Sequence, residues 1–212
     1  AREHLEKSYS QYNLLLCATT LVQLYKNGLG GPQNIAKAVE VVDKLVSQDC
    51  AGAEDILFAA DAYYAGKGSP RNIDKAVQYY QMIGNETPEI KYKLGCIALE
   101  GQSSLLSKNQ CIFYLETAGN QGVRGAFSKL GYYFLSVNNA DRAREYFQRS
   151  FQEGNVDDGV LVGKIYEAGT PSMYKNMNEA VRWYKMAAEK GSQKAMDELS
   201  HIKSTLFGYK RV

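Results

Sequence analysis

The chain has 212 residues, of which 45% are hydrophobic and 23% are charged, as in ordinary globular proteins. Its 25 basic and 23 acidic side chains give a net charge of +2 without a Lys/Arg stripe, so binding that depends on neutralising many phosphates is not expected. No apolar run reaches the roughly 18 residues that a membrane-spanning helix needs, so a spanning segment is not predicted.

Residues 1–16 are predicted to form a partial N-terminal helix. Leu5, Tyr9, Tyr12 and Leu16 recur there at the three-to-four-residue spacing of an amphipathic helix. The segment starts in mid-pattern and without an initiator Met, so we expect a processed or trimmed form of a longer array.

An internal repeat follows this segment. The run Tyr25-Lys-Asn-Gly28-Leu-Gly30 recurs 38 residues later as Tyr63-Tyr-Ala-Gly66-Lys-Gly68. Two columns of small residues, each with a large or apolar residue three positions later, extend the repeat along the chain. The first column is Val22/Tyr25, Ala60/Tyr63, Gly95/Ala98, Gly131/Phe134 and Gly163/Tyr166. The second column is Ala38/Val41, Ala76/Tyr79, Cys111/Tyr114, Ala143/Tyr146 and Ala180/Trp183.

Each unit of about 36 residues is predicted to form two helices, since its apolar residues recur at helical spacing. The small columns let the two helices cross closely. The predicted units cover residues 17–50, 51–86, 87–122, 123–154 and 155–194. The second helices are predicted to begin at Ala36, Asp74, Asn109, Asp141 and Asn178, mostly Asp or Asn caps, and to end near Gly122, Gly154 and Gly191.

Residues 195–212 are predicted to form a capping helix and tail. Ala195, Met196, Leu199, Ile202 and Leu206 continue an apolar face beyond the fifth unit. A repeat array needs such an element to close its terminal core.

The run Asn178-Glu-Ala-Val-Arg-Trp-Tyr-Lys-Met-Ala-Ala-Glu-Lys-Gly191 resembles the second helix of Sel1-like repeats, and Leu94-Gly95 with the Tyr63-x-x-Gly66-x-Gly68 turn resembles their first helix and loop. The resemblance implies an all-α fold, a right-handed α/α solenoid of about five Sel1-like helix-turn-helix repeats with a C-terminal capping helix, forming a single domain over 1–212. It further implies a non-enzymatic scaffold or adaptor that binds a protein or peptide partner, with assembly of membrane-associated complexes among the known roles. The alternative is an inhibitor or immunity protein that blocks a toxin or enzyme; catalysis is the weaker alternative.

A stripe of varying residues is predicted to bind the partner, because repeat positions that vary are not needed for the fold. One or four residues after the first-helix anchors stand Gln23, Lys26, Asp61, Tyr64, Tyr132, Lys164 and Glu167. First helices in such solenoids line the concave side, and Tyr is a frequent interface anchor. The alternative is that these are simply solvated helix positions. Leu99 and Leu135 occupy the same stripe and argue against base recognition by nucleic-acid-binding repeats.

Catalytic, metal and cofactor motifs are not found. The two histidines, His4 and His201, lie in the terminal segments and are expected to be surface or cap residues. His-Glu-x-x-His, Cys-x-x-Cys and Gly-x-Ser-x-Gly do not occur, so no cofactor or metal is predicted. Gly28-Leu-Gly30-Gly31-Pro32 is interpreted as a helix-to-helix turn rather than a phosphate loop, since no strand precedes it.

Four cysteines leave two possibilities open. Antiparallel helices would bring Cys17 near Cys50 and Cys96 near Cys111, which gives two candidate disulfides. Paired cysteines would favour a periplasmic or secretory compartment over the cytoplasm. The alternative is four mostly buried thiols.

Overall fold

The computed structural model describes residues 2–12, 15–84, 87–205 and 208–212. Over these residues the chain forms twelve helices and one antiparallel hairpin. The helices are α1 (Arg2–Tyr12), α2 (Leu15–Asn27), α3 (Ile35–Ser47), α4 (Ala53–Ala65), α5 (Ile73–Met82), α6 (Pro88–Glu100), α7 (Lys108–Asn120), α8 (Ala126–Ser136), α9 (Ala140–Gln152), α10 (Asp158–Ala168), α11 (Met177–Glu189) and α12 (Gln193–Ser200). The hairpin strands are β1 (Ile202–Thr205) and β2 (Gly208–Arg211). The predicted all-α fold class of helix-turn-helix repeats is confirmed.

The chain divides into two compact units, Ala1–Lys108 (unit 1) and Asn109–Val212 (unit 2). In unit 1, α2 packs on α3, α3 on α4 and α4 on α5. In unit 2, each helix from α8 to α11 packs on the next one along the chain. Tyr12 and Leu16, two of the apolar residues predicted in the N-terminal segment, have side chains outside the described part.

Close helix crossings in unit 2 depend on glycine. A Cβ on Gly131 would lie 2.5 Å from the ring of Phe147, and one on Gly163 would overlap the ring of Tyr184. Both rings are fully buried. In unit 2, the first column therefore has glycine because an aromatic ring of the second helix occupies the space that a side chain would take.

Four of the five predicted starts of the second helices are wrong by two residues. The caps that accept a bond from the amide three residues on are Asn34, Asn72, Asn139 and Asn176. Asp74 and Asp141, which were predicted as caps, instead bind the loop between the two helices of the next repeat. Ser103 donates to Asp74 at 2.5 Å, and Thr170 to Asp141 at 2.7 Å. The helices begin one half-turn earlier than predicted, so these carboxylates already lie inside the first turn.

The helix ends were predicted correctly where glycine follows the second helices of unit 2. Gly122, Gly154 and Gly191 each have φ between 90° and 102°, a left-handed conformation that side chains disfavour.

The C-terminal segment differs from the prediction. The helix is present as α12, but it ends at Ser200, and Ile202 lies in strand β1 instead of on its apolar face. Leu206 lies outside the described residues. In the hairpin, Ile202 pairs with Arg211 and Thr205 with Gly208. Ile202 and Thr205 are β-branched, which favours strand over helix and competes with the helical spacing of the apolar residues.

Candidate functional site

Two residues of the predicted stripe, Gln23 and Lys26, lie on α2. Both have partners within unit 1. The Lys26 ammonium lies 3.5 Å from Glu54 and 5.1 Å from the centre of the Phe58 ring. Gln23, one turn earlier, accepts a hydrogen bond from the side chain of Asn27 at 3.4 Å. The Lys26 ammonium therefore makes a cation–π contact with the Phe58 ring within unit 1.

Asp61 and Tyr64 lie together on α4, at a pocket of about 340 Å³ that we call the α4 pocket. The lining residues are Ile35, Phe58, Asp61, Ala62, Tyr64, Ala65, Lys67 and Lys93. Most of these surfaces are apolar, and the charged groups are few. Such a pocket accepts one apolar side chain and offers polar partners beside it.

The Asp61 carboxylate is already engaged within unit 1. It accepts hydrogen bonds of 2.5 Å from the Tyr80 hydroxyl and 2.5 Å from the Lys93 ammonium. Burial, followed by the bond to Asp61, raises the pKa of Tyr80, so this hydroxyl stays protonated and donates. The Asp61 side chain thus links α4 to Tyr80 of α5 and to Lys93 of α6.

Tyr132 is the exposed aromatic of the stripe in unit 2. Its side chain is 55% exposed, and its ring packs edge-on against Phe147 at a centroid distance of 5.2 Å. It lies beside an open cavity of about 550 Å³ that Asp157 and Asp158 also line. Burial raises the pKa of Asp158, whereas the Lys194 ammonium, 2.7 Å away, lowers that of Asp157.

Lys164 and Glu167 lie near each other on α10, and both are paired. Lys164 is 2.7 Å from Glu198 of α12. Glu167 accepts hydrogen bonds from the Tyr184 hydroxyl at 3.0 Å and from the Arg211 guanidinium at 2.5 and 2.6 Å. The bonds from Arg211 are the largest cause of the lowered pKa of Glu167.

Two of the five residues in one column of the stripe form ion pairs. Asp61 and Lys164 both stand one residue after a first-helix anchor. Asp61 pairs with Lys93, 32 residues on, and Lys164 pairs with Glu198, 34 residues on, with the two charges exchanged. The change from Asp61 to Lys164 is therefore matched by an opposite change in its ion-pair partner. Variation at this position does not by itself mark a recognition residue.

Sequence reasoning missed Phe58, Lys93 and Arg211. A charge opposite to Asp61 about one repeat further on was a readable signal for Lys93. Arg211 had no such signal, because a helix was predicted where the hairpin forms.

The four cysteines are thiols, and neither candidate disulfide is formed. Cys17 is half-buried and Cys50 is exposed, whereas Cys96 and Cys111 are buried. Formation of the Cys17–Cys50 and Cys96–Cys111 disulfides in an oxidising compartment stays a prediction.

Within the described ranges, every helix is too short or too polar to cross a bilayer. In that same part of the chain, no group of three or more His, Cys, Asp or Glu side chains is arranged to hold a metal ion.

Five segments of the chain match the Sel1 repeat: residues 8–40, 56–85, 89–123, 128–155 and 160–192. Together they span most of the sequence. The chain belongs to the Sel1 repeat family. Repeats of the Sel1 and tetratricopeptide type generally form interaction scaffolds without enzymatic activity, and they bind proteins or peptides.

A putative Sel1-like repeat-containing protein, L21 of Acanthamoeba polyphaga mimivirus, is 29% identical over 99 residues, which are 46% of this chain and 18% of that protein. The chain thus spans less than a fifth of this curated relative.

Two crystal structures show the same α-solenoid fold. A Sel1 repeat protein from Oxalobacter formigenes is 19% identical, with a TM-score of 0.55 over 94% of this chain and 88% of that one. YrrB, described as a TPR protein with an unusual peptide-binding site, is 15% identical, with a TM-score of 0.59 over 94% of this chain and 99% of that one.

Proposed function

We propose that this Sel1 repeat protein is a scaffold in the assembly of a larger complex, and that it binds a segment of a partner protein along its first helices. The observation that carries the proposal is the α4 pocket, where an apolar floor adjoins the Asp61–Lys93 ion pair.

The α4 pocket suits the side chain of one apolar residue from an extended segment. Phe58 and Tyr64 are half-buried in the unbound chain, so each has ring surface that a ligand would cover. Burying one such aliphatic or aromatic side chain contributes about 1.5–3 kcal/mol. The Asp61 carboxylate and the Lys93 ammonium, with side chains 47% and 34% exposed, can bond to the N–H and C=O groups of the segment.

Two further observations support a peptide or protein segment as the ligand. Tyr132 presents a second exposed ring in unit 2, and Tyr is enriched at interfaces. YrrB has a comparable fold and a peptide-binding site according to its description.

The charge distribution favours this role over an inhibitor of a charged enzyme site. Tight inhibition of that kind uses unpaired surface charge. Asp61 is paired with Lys93, Lys164 with Glu198 and Glu167 with Arg211. We expect the apolar surface of Tyr64 and Phe58 to be the main contact surface for a partner in unit 1.

Selection from a random peptide library tests the proposal. Peptides selected on the wild-type chain should bind Tyr64→Ala and Phe58→Ala at least about tenfold more weakly, as expected for a truncated interface anchor. Tyr174→Ala is the matched control, because Tyr174 is 97% exposed and lies in a loop outside the α4 pocket. Circular dichroism should show the same helical content in all variants. Selected peptides that bind the Tyr64 and Phe58 variants as well as the wild type would refute the pocket.

A further inference from the structure

Arg211 of strand β2 occupies a site made by two carboxylates of unit 2. Its Nε donates to Glu167 Oε1 at 2.5 Å, and its Nη2 donates to Glu167 Oε2 at 2.6 Å and to Glu198 Oε2 at 2.9 Å. Two parallel bonds to one carboxylate are the geometry in which a guanidinium recognises an anion most specifically.

The two carboxylates are shielded from water. The side chains of Glu167 and Glu198 are 22% and 18% exposed. Burial would raise the pKa of Glu198, but the bonds from Lys164 and Arg211 outweigh it and lower that pKa. Both groups are therefore ionised at neutral pH, and a shielded pair of carboxylates requires a nearby cation.

Apart from Ile202, which packs against the hydrophobic core of unit 2, the remainder of the hairpin is held weakly. No residue of 202–205 or 208–212 is buried, and Val212 is 59% exposed. Outside the Arg211 contact, the Tyr209 hydroxyl accepts a bond from Lys185 at 3.3 Å, and Gly208 packs against Asn178. A two-stranded hairpin is marginally stable by itself, so the guanidinium of Arg211 is the main attachment of β2 to unit 2.

The hairpin occupies a place that a repeat loop takes elsewhere. Asn178 stands two residues before its anchor Ala180, as Asp74 and Asp141 do before theirs. Those two carboxylates hold the next loop through Ser103 and Thr170, whereas Asn178 contacts Gly208 of the hairpin. The segment thus covers the stripe residue Glu167 from a position that corresponds to the loops held by Asp74 and Asp141.

We propose that the hairpin is an internal strap on the stripe of unit 2, and that the Glu167–Glu198 site binds an arginine of the partner segment after the strap has been displaced. The inference rests on the proposed function, because it names the chemistry of the partner and a control of its access. Arg211 is then an internal copy of the ligand. Tethering gives it an effective concentration in the millimolar range, so an outside segment competes only when it makes further contacts.

A labelled synthetic peptide of residues 202–212 tests the strap on the full chain. By fluorescence anisotropy at low salt, Arg211→Ala protein should bind this peptide at least about tenfold more tightly than wild type, because the internal competitor is weakened. Lys210→Ala, in the same strand, should behave like wild type. A peptide with alanine in place of its arginine should not bind, and Arg211→Ala/Glu167→Gln protein should lose the binding. Equal binding to wild type and Arg211→Ala, or none to either, overturns the proposal.

Hydrogen exchange supplies a second measurement on the same proteins. Amides of β1 and β2 should exchange at least about tenfold faster in Arg211→Ala than in wild type or Lys210→Ala, because strand opening becomes easier. Unchanged exchange would show that Arg211 does not hold the strap.

The outside ligand is tested by peptide selection on Arg211→Ala protein. Selected sequences should be enriched in arginine relative to those selected on wild type, and the absence of enrichment would refute the ligand chemistry. Tyr64→Ala separates the two proposals, because it removes binding at the α4 pocket and leaves binding of the 202–212 peptide unchanged. Failure at Tyr64 alone refutes the proposed pocket, and failure with the peptide alone refutes the strap.

Discussion

The ring of Tyr184 packs directly on Gly163 and occupies the space that a side chain at position 163 would take. Beyond the glycine, the Tyr184 hydroxyl donates to Glu167 at 3.0 Å. One residue therefore joins α11 to α10 and also orients the carboxylate that Arg211 binds. Phe147 on Gly131 repeats the packing without the hydroxyl.

Gly163→Ala should destabilise unit 2 by about 1–3 kcal/mol, because the added methyl overlaps a buried ring that has no free space to enter. Urea unfolding followed by the fluorescence of Trp183, the single tryptophan, measures the change next to the site. Glu145→Ala is the control, because Glu145 is exposed on α9 of the same unit. Its free energy of unfolding should change by less than about 0.5 kcal/mol. Equal losses in the two variants would contradict the packing argument.

The glycine columns were predictable because a close helix crossing leaves a small residue at a fixed spacing. The rings that fill them were not. Sequence periodicity singled out Tyr146 and Trp183, whereas the rings on the glycines belong to the next residues, Phe147 and Tyr184. The rotation of a helix about its axis depends on contacts with both neighbours, and spacing within one helix does not define it.

Tyr79→Phe should cost about 1.5–3 kcal/mol, the range for a hydrogen bond to a charged group. The Tyr79 hydroxyl donates to Asp43 at 2.7 Å, and the Tyr63 hydroxyl and the Lys75 ammonium complete the shell of that carboxylate at 2.6 and 2.7 Å. Urea unfolding followed by circular dichroism measures the loss. Tyr132→Phe serves as the control, since Tyr132 is 55% exposed and should change stability little. An unchanged Tyr79→Phe protein would show that Asp43 is satisfied without it.

The Asp141 contact should depend on pH. Hydrogen bonds from Ser172, at 2.6 Å, and from Thr170 lower the pKa of Asp141 in the folded chain. Since the folded pKa lies below the unfolded value of about 3.9, the contact stabilises the fold above that value and is lost as pH falls through the folded pKa. Carboxyl NMR shifts should show this pKa returning toward the ordinary value in Thr170→Ala/Ser172→Ala.

Ser204→Ala controls for a general effect of hydroxyl removal, because Ser204 is exposed on the hairpin. It should leave the pKa of Asp141 unchanged. A pKa in the double variant equal to that of the wild type would mean that the loop hydroxyls do not hold this carboxylate.

The candidate site was predictable only in part, for a physical reason. Asp61 and Tyr64 were placed on one helix face by their spacing, and the structure brings both to the α4 pocket. The pairing of Lys164 with Glu198 was not foreseen, because variation between repeats looks the same for recognition and for compensated charge. Arg211 was missed because the hairpin forms through backbone pairing, which leaves little trace in side-chain periodicity.

A double-mutant cycle of Asp61→Lys and Lys93→Glu should measure a favourable coupling energy between these two positions. Each single change places like charges together, and the double change recreates the charge order of Lys164 and Glu198. The coupling should be about 0.2–1 kcal/mol, as for partly exposed pairs, and should shrink in about 1 M salt. Loss of the Tyr80 bond is common to Asp61→Lys and the double variant, so the cycle cancels it. A zero coupling at low salt would remove the compensation argument.

The cysteines should label in order of exposure. Without reductant, an alkylating reagent should modify Cys50 first and Cys17 more slowly, because the former is exposed and the latter half-buried. Cys96 and Cys111 should react only after unfolding, because both side chains are buried and the reagent does not reach them in the folded chain. Peptide mass spectrometry identifies each modified site. Labelling of Cys17 and Cys50 that stays blocked after unfolding, and is restored by reductant, would instead establish their disulfide.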